Sequence, residues 1–270
     1  LRSGRANRVW RTPRFLLLPG LLFALWQASA WLNWLPQGIV PSPEAVARAW
    51  FTWIAGAPTH SLSPYSGTWI ASTLHSGVRV LEGFLTATLV AVPLGLMIGW
   101  NRLTAEFIDP TIQLFRPVPI TAWIPFALAF FGIYDASAIF LVALGAFFPI
   151  VINTTYGARN TDLLLLRAAR MLGARPAVEL RCIVFPSALP SIFTGLRLGV
   201  GVSWTAVIIS EMVAVKSGLG YALWDAYYVG RMDICVATMI SFGLLGFLSD
   251  RLVLLAWRAS EPWRRHGGHA

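Results

Sequence analysis

The chain has 270 residues, of which 56% are hydrophobic and 12% charged, against roughly 45–50% and about 25% in an ordinary soluble domain. Apolar residues in that proportion would cover the outside of a water-soluble fold as well as fill its core, beyond the few hundred Å² of apolar patch a soluble monomer carries, so lipid is the solvent for much of the molecule. The formal charge of +9 comes from 20 arginines and one lysine, Lys216, gathered at the ends of uncharged stretches; that spread excludes a nucleic-acid-binding stripe and fits the positive-inside bias of a membrane protein.

A helix needs about 20 mainly apolar residues to cross the hydrocarbon core, and six runs qualify. The first, Phe15 to Leu35, follows Arg2, Arg5, Arg8, Arg11 and Arg14. Its apolar part outruns that of a cleavable signal, so it reads as a span. In the connection Pro36 to Thr68, the sequence Pro41-Ser42-Pro43 opens an amphipathic stretch, Glu44 to Ile54, carrying Val46, Ala49, Trp50 and Trp53. A short helix is predicted there, lying at the outer membrane interface with its tryptophans at headgroup level.

The second span runs from Trp69 to Trp100, the third from Phe107 to Phe131 and the fourth from Ala136 to Tyr156. Ser191 to Val213 and Ile234 to Trp257 are the fifth and sixth. Connections and tails on one side carry Arg102, Arg159, Arg167, Arg170, Arg175, Arg181, Arg251, Arg258, Arg264, Arg265 and the N-terminal arginines. The other side has Arg48, Lys216 and Arg231. The excess marks the cytoplasm, so both termini are expected there.

The connection 157–190 is the most informative. Thr161 and Asp162 start a helix over Leu163 to Leu172, Gly173 stops it at a positive φ angle, and Pro176 opens a second helix that Pro186 and Pro190 are expected to close. Ala168 and Ala169 let another surface come close. A basic helical hairpin on the cytoplasmic face is shaped to dock onto a partner.

Charges inside spans need a reason, since one at a helix centre costs at least about 2.5–3.5 kcal/mol on insertion scales. Arg79 stands three residues before Glu82, and an ion pair on one helical face is expected, with a role near a pathway as the other reading. Arg116 lies between Phe115 and Pro117, with Pro119 beyond, near the middle of the third span. The prolines break the helix, and irregular backbone at that depth requires surrounding protein or a water-filled cavity. There Arg116 meets either an anion or a structural partner. Arg197 is expected to snorkel to the cytoplasmic surface. Glu211, near the outer end of the fifth span, either pairs with an arginine of another helix or gates the pathway.

Signs of enzyme chemistry are missing. His60, His75, His266 and His269 show no metal-ligand spacing, and Lys216 follows Val215 where a phosphate loop requires glycine. Cys182 and Cys235 read as small apolar residues.

The segment Arg167-Ala168-Ala169, three residues, Gly173, nine residues, Ile183, one residue, Phe185-Pro186 resembles the EAA loop of ABC importer permeases. Every spacing agrees, with Arg167 in place of the usual Glu and Phe185 in place of Leu. The resemblance marks Ala174, Arg175 and Pro176 with them as the ATPase-coupling turn. It extends from about Thr73 to Trp257, through Arg116-Pro117-Val118-Pro119, Ala122-Trp123-Ile124-Pro125, Pro149 to Thr154 and Ser210-Glu211-Met212, to the branch importing nitrate, taurine and sulfonates. Trp224-Asp225-Ala226-Tyr227 is most similar to the nitrate type.

This resemblance implies an all-α type I importer permease, a single domain over 1–270, with an extra N-terminal span at 15–35, a five-helix core at 69–257 and the coupling loop at 157–190. It implies a homodimer in the bacterial inner membrane, ABC ATPase subunits that hold ATP and Mg²⁺, a periplasmic or lipid-anchored substrate-binding protein, and contact with lipid; no cofactor is expected on this chain. Arg79, Arg116, Pro117, Pro119, Trp123, Arg197 and Glu211 are the candidates for the pathway or its gate. An ion-coupled secondary transporter is the alternative, although paired intramembrane acids and inverted repeats around a midplane site are not evident.

Overall fold

The computed structural model describes residues 17–32, 39–56 and 64–260, and every regular element among them is helical. They divide into two compact units, one formed by the described residues up to 70 together with 222–239, the other by 71–221 with 240–260.

In the first unit, α1 (Leu17–Trp31) is mostly apolar, Gln27 and Ser29 apart, and none of its residues is buried among the described ones. Its 15 residues rise about 22 Å at 1.5 Å each, and the remainder of the expected first span, 15–16 and 33–35, lies outside the described residues. Helix α2 (Pro43–Ala55) forms where its turn chemistry places it: Pro43 occupies the first turn and the Ser42 hydroxyl accepts from the Ala45 N–H at 3.2 Å. It buries Val46, Ala49 and Trp53. Trp53 departs from the headgroup expectation, being 1% exposed, because its indole N–H finds the Thr68 hydroxyl at 3.0 Å and its ring meets Tyr65 edge-on. The Tyr65 hydroxyl in turn donates to Asp225 at 2.6 Å.

The second unit is built on three long helices, α3 (Trp69–Trp100), α6 (Asp135–Arg159) and α8 (Pro176–Val213). Small residues let their backbones approach. A methyl group on Gly83 of α3 would lie 2.6 Å from the Val142 side chain of α6, and one on Gly157 of α6 would lie 2.6 Å from Ser191 of α8. Such contacts are how helices associate where water supplies no driving force. Helix α9 (Leu219–Tyr228) follows α8, and α10 (Met232–Ser260) runs from one unit into the other. With α3, α6 and α8 it makes four helices, among the described residues, long and apolar enough to cross a membrane. Large side chains such as Leu89 and Phe130 stand 75% and 80% exposed on the spans, as a lipid-facing surface requires.

The third span is a broken one. Helices α4 (Arg102–Phe115) and α5 (Ile124–Phe131), with a 3₁₀ turn at Ile120–Trp123 between them, meet at 96°. Pro117 and Pro119 have no N–H to continue the ladder, and Pro119 sits in extended geometry with ψ 145°. Gly132, at φ +72°, ends α5 by donating to Leu128.

One expectation fails at the hairpin. Pro186 and Pro190 do not close its second helix, which runs on from Pro176 into the fifth span as the 38-residue α8. A π-helical turn over Leu180–Val184 accommodates them: the Phe185 N–H reaches back five residues to the Leu180 carbonyl, so the ladder is widened just where the Pro186 ring has to fit.

Candidate functional site

The broken span lines a cavity of about 460 Å³ with α6 and α8. Its wall includes Arg116, Pro117, Pro119 and Trp123 from the break, Pro149 and Asn153 from α6, and Val202 from α8. Arg116 is the C-cap of α4, its N–H bonded to the Ile112 carbonyl at 2.9 Å. Its side chain is exposed, and no carboxylate among the described residues pairs with it. Trp123 packs between Phe115 and Phe126. Its buried indole N–H has no acceptor among the described residues. Asn153 turns one amide N–H to the Pro149 carbonyl one helical turn earlier, at 2.8 Å. The wall therefore combines one unpaired cation with apolar surface and a few polar groups.

Arg79 and Glu211 are elsewhere, in a buried junction between α3, the start of α6 and the end of α8. Glu82 does not pair with Arg79 and is exposed. Instead Arg79 donates from Nε and Nη2 to Asp135 at 2.9 and 2.6 Å, and from Nη1 to Glu211 at 2.6 Å. Ser217 takes the other two N–H groups, through its carbonyl at 2.8 Å and its hydroxyl at 2.6 Å. Glu211, with no exposed side-chain surface, also accepts from the Ser76 hydroxyl and the Gly220 N–H, both at 2.8 Å. Gly218 at φ +105° lets the chain after α8 pass against this carboxylate, where any side chain would collide with it. The pairing of Glu211 with an arginine from another helix is thus as the sequence led us to expect; its partner is not the one the spacing of Arg79 and Glu82 suggested.

Arg197 does not simply reach for the surface either. Its guanidinium forms a two-pronged bridge to Asp250 of α10 at 2.7 and 2.9 Å, the planar fork geometry that favours arginine over lysine. Three partners, Asp135, Ser217 and Asp250, went unrecognised in the sequence. Asp250 had left a trace: an acid inside an apolar run calls for a cation somewhere in the bundle.

The hairpin follows its turn residues closely. In α7 (Leu163–Met171) the Asp162 carboxylate caps the Leu164 N–H at 2.8 Å. At the far end Gly173, at φ +78°, donates to the Arg170 carbonyl at 3.0 Å and Ala174 to the Ala169 carbonyl at 3.0 Å, the paired bonds of a Schellman turn. Arg175 then caps α8 and Pro176 begins it. Arg170 grips Glu179 across the turn at 3.0 and 3.1 Å; that hydrogen bond and the carboxylate charge hold the Arg170 guanidinium above its usual pKa. Arg167, Ala168, Gly173, Arg175 and Pro176 are exposed, Ala169 and Ala174 half-buried, and Ile183 and Pro186 half-buried at the π turn. Met171 and Leu172 at the tip are 88% and 89% exposed.

Comparison with known proteins identifies the family and the fold. The family described as binding-protein-dependent transport system inner membrane component matches residues 91–258. A putative ABC transporter permease of Methanocaldococcus jannaschii is 40% identical over 87% of this chain and 85% of its own length. A putative aliphatic sulfonates transport permease of Bacillus subtilis is 31% identical over 97% and 91%, and a nitrate import permease of Synechocystis is 38% identical over 65% and 64%. The MetNI methionine ABC transporter, solved in inward-facing conformations, superposes with a TM-score of 0.58 at 19% identity over 69% of this chain and 94% of that one, which fixes the type I importer fold. Members of the family work with a separate ATPase and a substrate-binding protein, so the ion-coupled alternative gives way. The chain belongs to the binding-protein-dependent transport system inner membrane components, and is the membrane-spanning permease subunit of an ABC importer, not an enzyme.

Proposed function

We propose that this permease imports a small oxyanion, such as nitrate or a sulfonate, along a path that passes Arg116. The observation carrying the anion class is Arg116 itself, a guanidinium with no carboxylate partner among the described residues, beside a proline break in a membrane span and on the wall of a cavity about 460 Å³ in volume. Relatives named for aliphatic sulfonates, nitrate and taurine support the same class, since nitrate and sulfonate groups both offer anionic oxygens to an arginine fork. Two copies of the chain form the pathway in the bacterial inner membrane, in contact with lipid and with both termini cytoplasmic; the ATPase subunits hold ATP and Mg²⁺ and receive the hairpin tip. The exposed Met171 and Leu172 and the positive flank of Arg167 and Arg175 support that docking.

The test is Arg116→Gln in proteoliposomes with ATPase and binding protein present. Losing a charge-assisted hydrogen bond of about 1.5–3 kcal/mol reduces anion uptake about tenfold or more, while assembly and basal ATP hydrolysis persist. Unchanged uptake by the assembled complex removes Arg116 from the pathway.

A further inference from the structure

Arginine has five N–H donors, and Arg79 has committed all of them: two bonds to Asp135, one to Glu211 and two to Ser217. No donor remains for a passing anion. These partners stand at the first residue of α6, in the last turn of α8 and in the chain just beyond it. They mark the end of the bundle remote from the hairpin. Glu211 is equally committed, and Ser76, which donates to it, also accepts the Leu219 N–H at 2.9 Å.

The same three helices meet again toward the hairpin end, where an added methyl on Gly99 of α3 would collide with Ala158 of α6 and one on Gly157 of α6 would lie 2.6 Å from Ser191 of α8. There Glu179, near the start of α8, also accepts the two-pronged bridge from Arg170 of α7 at 3.0 and 3.1 Å. Between the two ends, α6 is in backbone-close contact with α3 at Gly95 and with α8 at Gly195, where an added methyl would lie 2.7 Å from Thr154 and 2.9 Å from Asn153. Opening the Arg79 junction in any state would leave the Glu211 carboxylate, which has no exposed side-chain surface, without its counter-ion.

We propose that Arg79 and Glu211 are positioning residues: they hold the remote ends of α3, α6 and α8 in one fixed cluster through every state of the transport cycle, and Glu211 is not a gate. Movement of the hairpin then reaches the cavity because the helices that carry it cannot yield at the other end. The inference rests on family membership, not on the identity of the anion, so loss of the Arg116 reading would leave it standing.

Hydrogen exchange on the unaltered complex tests it directly. The Leu219 and Gly220 amides, bonded to Ser76 and Glu211, are expected to be equally protected in the resting complex and in one trapped with ATP and vanadate. Markedly faster exchange in one of the two states shows a latch that opens, and overturns the proposal. In Arg79→Met, exchange at these amides is expected to rise about a hundredfold; substrate transported per ATP falls while hydrolysis continues, and Arg79→Lys, which retains the charge opposite Glu211, restores part of it. Full transport per ATP in an assembled Arg79→Met complex would equally refute the positioning role. Should that variant fail to assemble, the exchange comparison on the unaltered complex decides alone.

Discussion

Gly173 offers a way to separate the shape of the hairpin from the stability of the fold. Its φ of +78° is left-handed, and a β-carbon there would meet nothing within 4 Å among the described residues. The penalty for another residue is therefore conformational and not steric: roughly 1–2 kcal/mol for an L-residue held in the left-handed region, and more for a β-branched one. Global stability of about 5–15 kcal/mol absorbs that, so Gly173→Val remains folded and inserted. The turn it deforms is the one closed by the Gly173–Arg170 and Ala174–Ala169 bonds, next to the exposed Met171 and Leu172. A graded series follows. Gly173→Asn, which tolerates the left-handed region, stays near wild type; Gly173→Ala is intermediate; Gly173→Val loses ATPase association or transport per ATP. Fluorescence-detected gel filtration reads assembly, and paired uptake and hydrolysis assays in proteoliposomes read coupling. If Gly173→Val assembles fully with unchanged transport per ATP, the hairpin is not the coupling element.

Two further predictions concern stability. Gly83→Ala places a methyl 2.6 Å from Val142 and 2.9 Å from the Ile139 carbonyl, and overpacking of that kind costs about 1–3 kcal/mol; its thermal midpoint in detergent falls, whereas Gly243→Ala, with nothing within 4 Å, matches or exceeds wild type by the helix propensity of alanine over glycine. Burial, reinforced by the Asp225 carboxylate that accepts its hydroxyl, pushes the Tyr65 phenol up from 10.0. The folded state keeps that proton after the unfolded chain has lost it, so the stability advantage of the native protein over Tyr65→Phe is complete below pH 10.0 and declines as pH rises above it; an advantage that holds or grows above that pH contradicts the assignment.

Local chemistry was legible in the sequence where it depends on neighbours in the chain. Asp162, Gly173 and Pro176 announce a capped helix, a left-handed turn and a helix start within fifteen positions, and each does what its backbone preference dictates. Pro117 and Pro119 likewise announce the break in the third span. What the sequence conceals depends on the third dimension. Arg79 and Glu82 share a helix at a spacing that favours pairing, yet the guanidinium faces inward to Asp135 and Glu211, since a buried cation needs more acceptors than one exposed carboxylate supplies. Pro186 reads as a helix end because proline removes a donor; the π turn before it changes the register and the helix continues. Trp53 reads as an interface ring until Thr68 supplies an acceptor for its indole N–H.

The three arginines within spans carry the same insertion cost, about 2.5–3.5 kcal/mol at a helix centre, and meet it in three ways. Arg79 does so with five hydrogen bonds in a buried junction. Arg197 does so with one bidentate bridge at partial exposure, its side chain 45% and that of Asp250 31% accessible. Arg116 has neither among the described residues, although Asn153 lines the same cavity. A charge retained without a fixed counter-ion is stabilised only when something mobile supplies one, water or a transported anion. A permanent carboxylate beside Arg116 would remove the cost and also cancel the attraction for an anion. A gain-of-pairing variant therefore complements the loss-of-charge one. Asn153→Asp puts a carboxylate into the Arg116 cavity without touching the guanidinium; if Arg116 serves the pathway, anion uptake falls in this variant as it does in Arg116→Gln, and the double variant recovers none of it. If Asn153→Asp raises thermal stability and leaves uptake intact, Arg116 is a structural cation awaiting a partner and the pathway runs elsewhere.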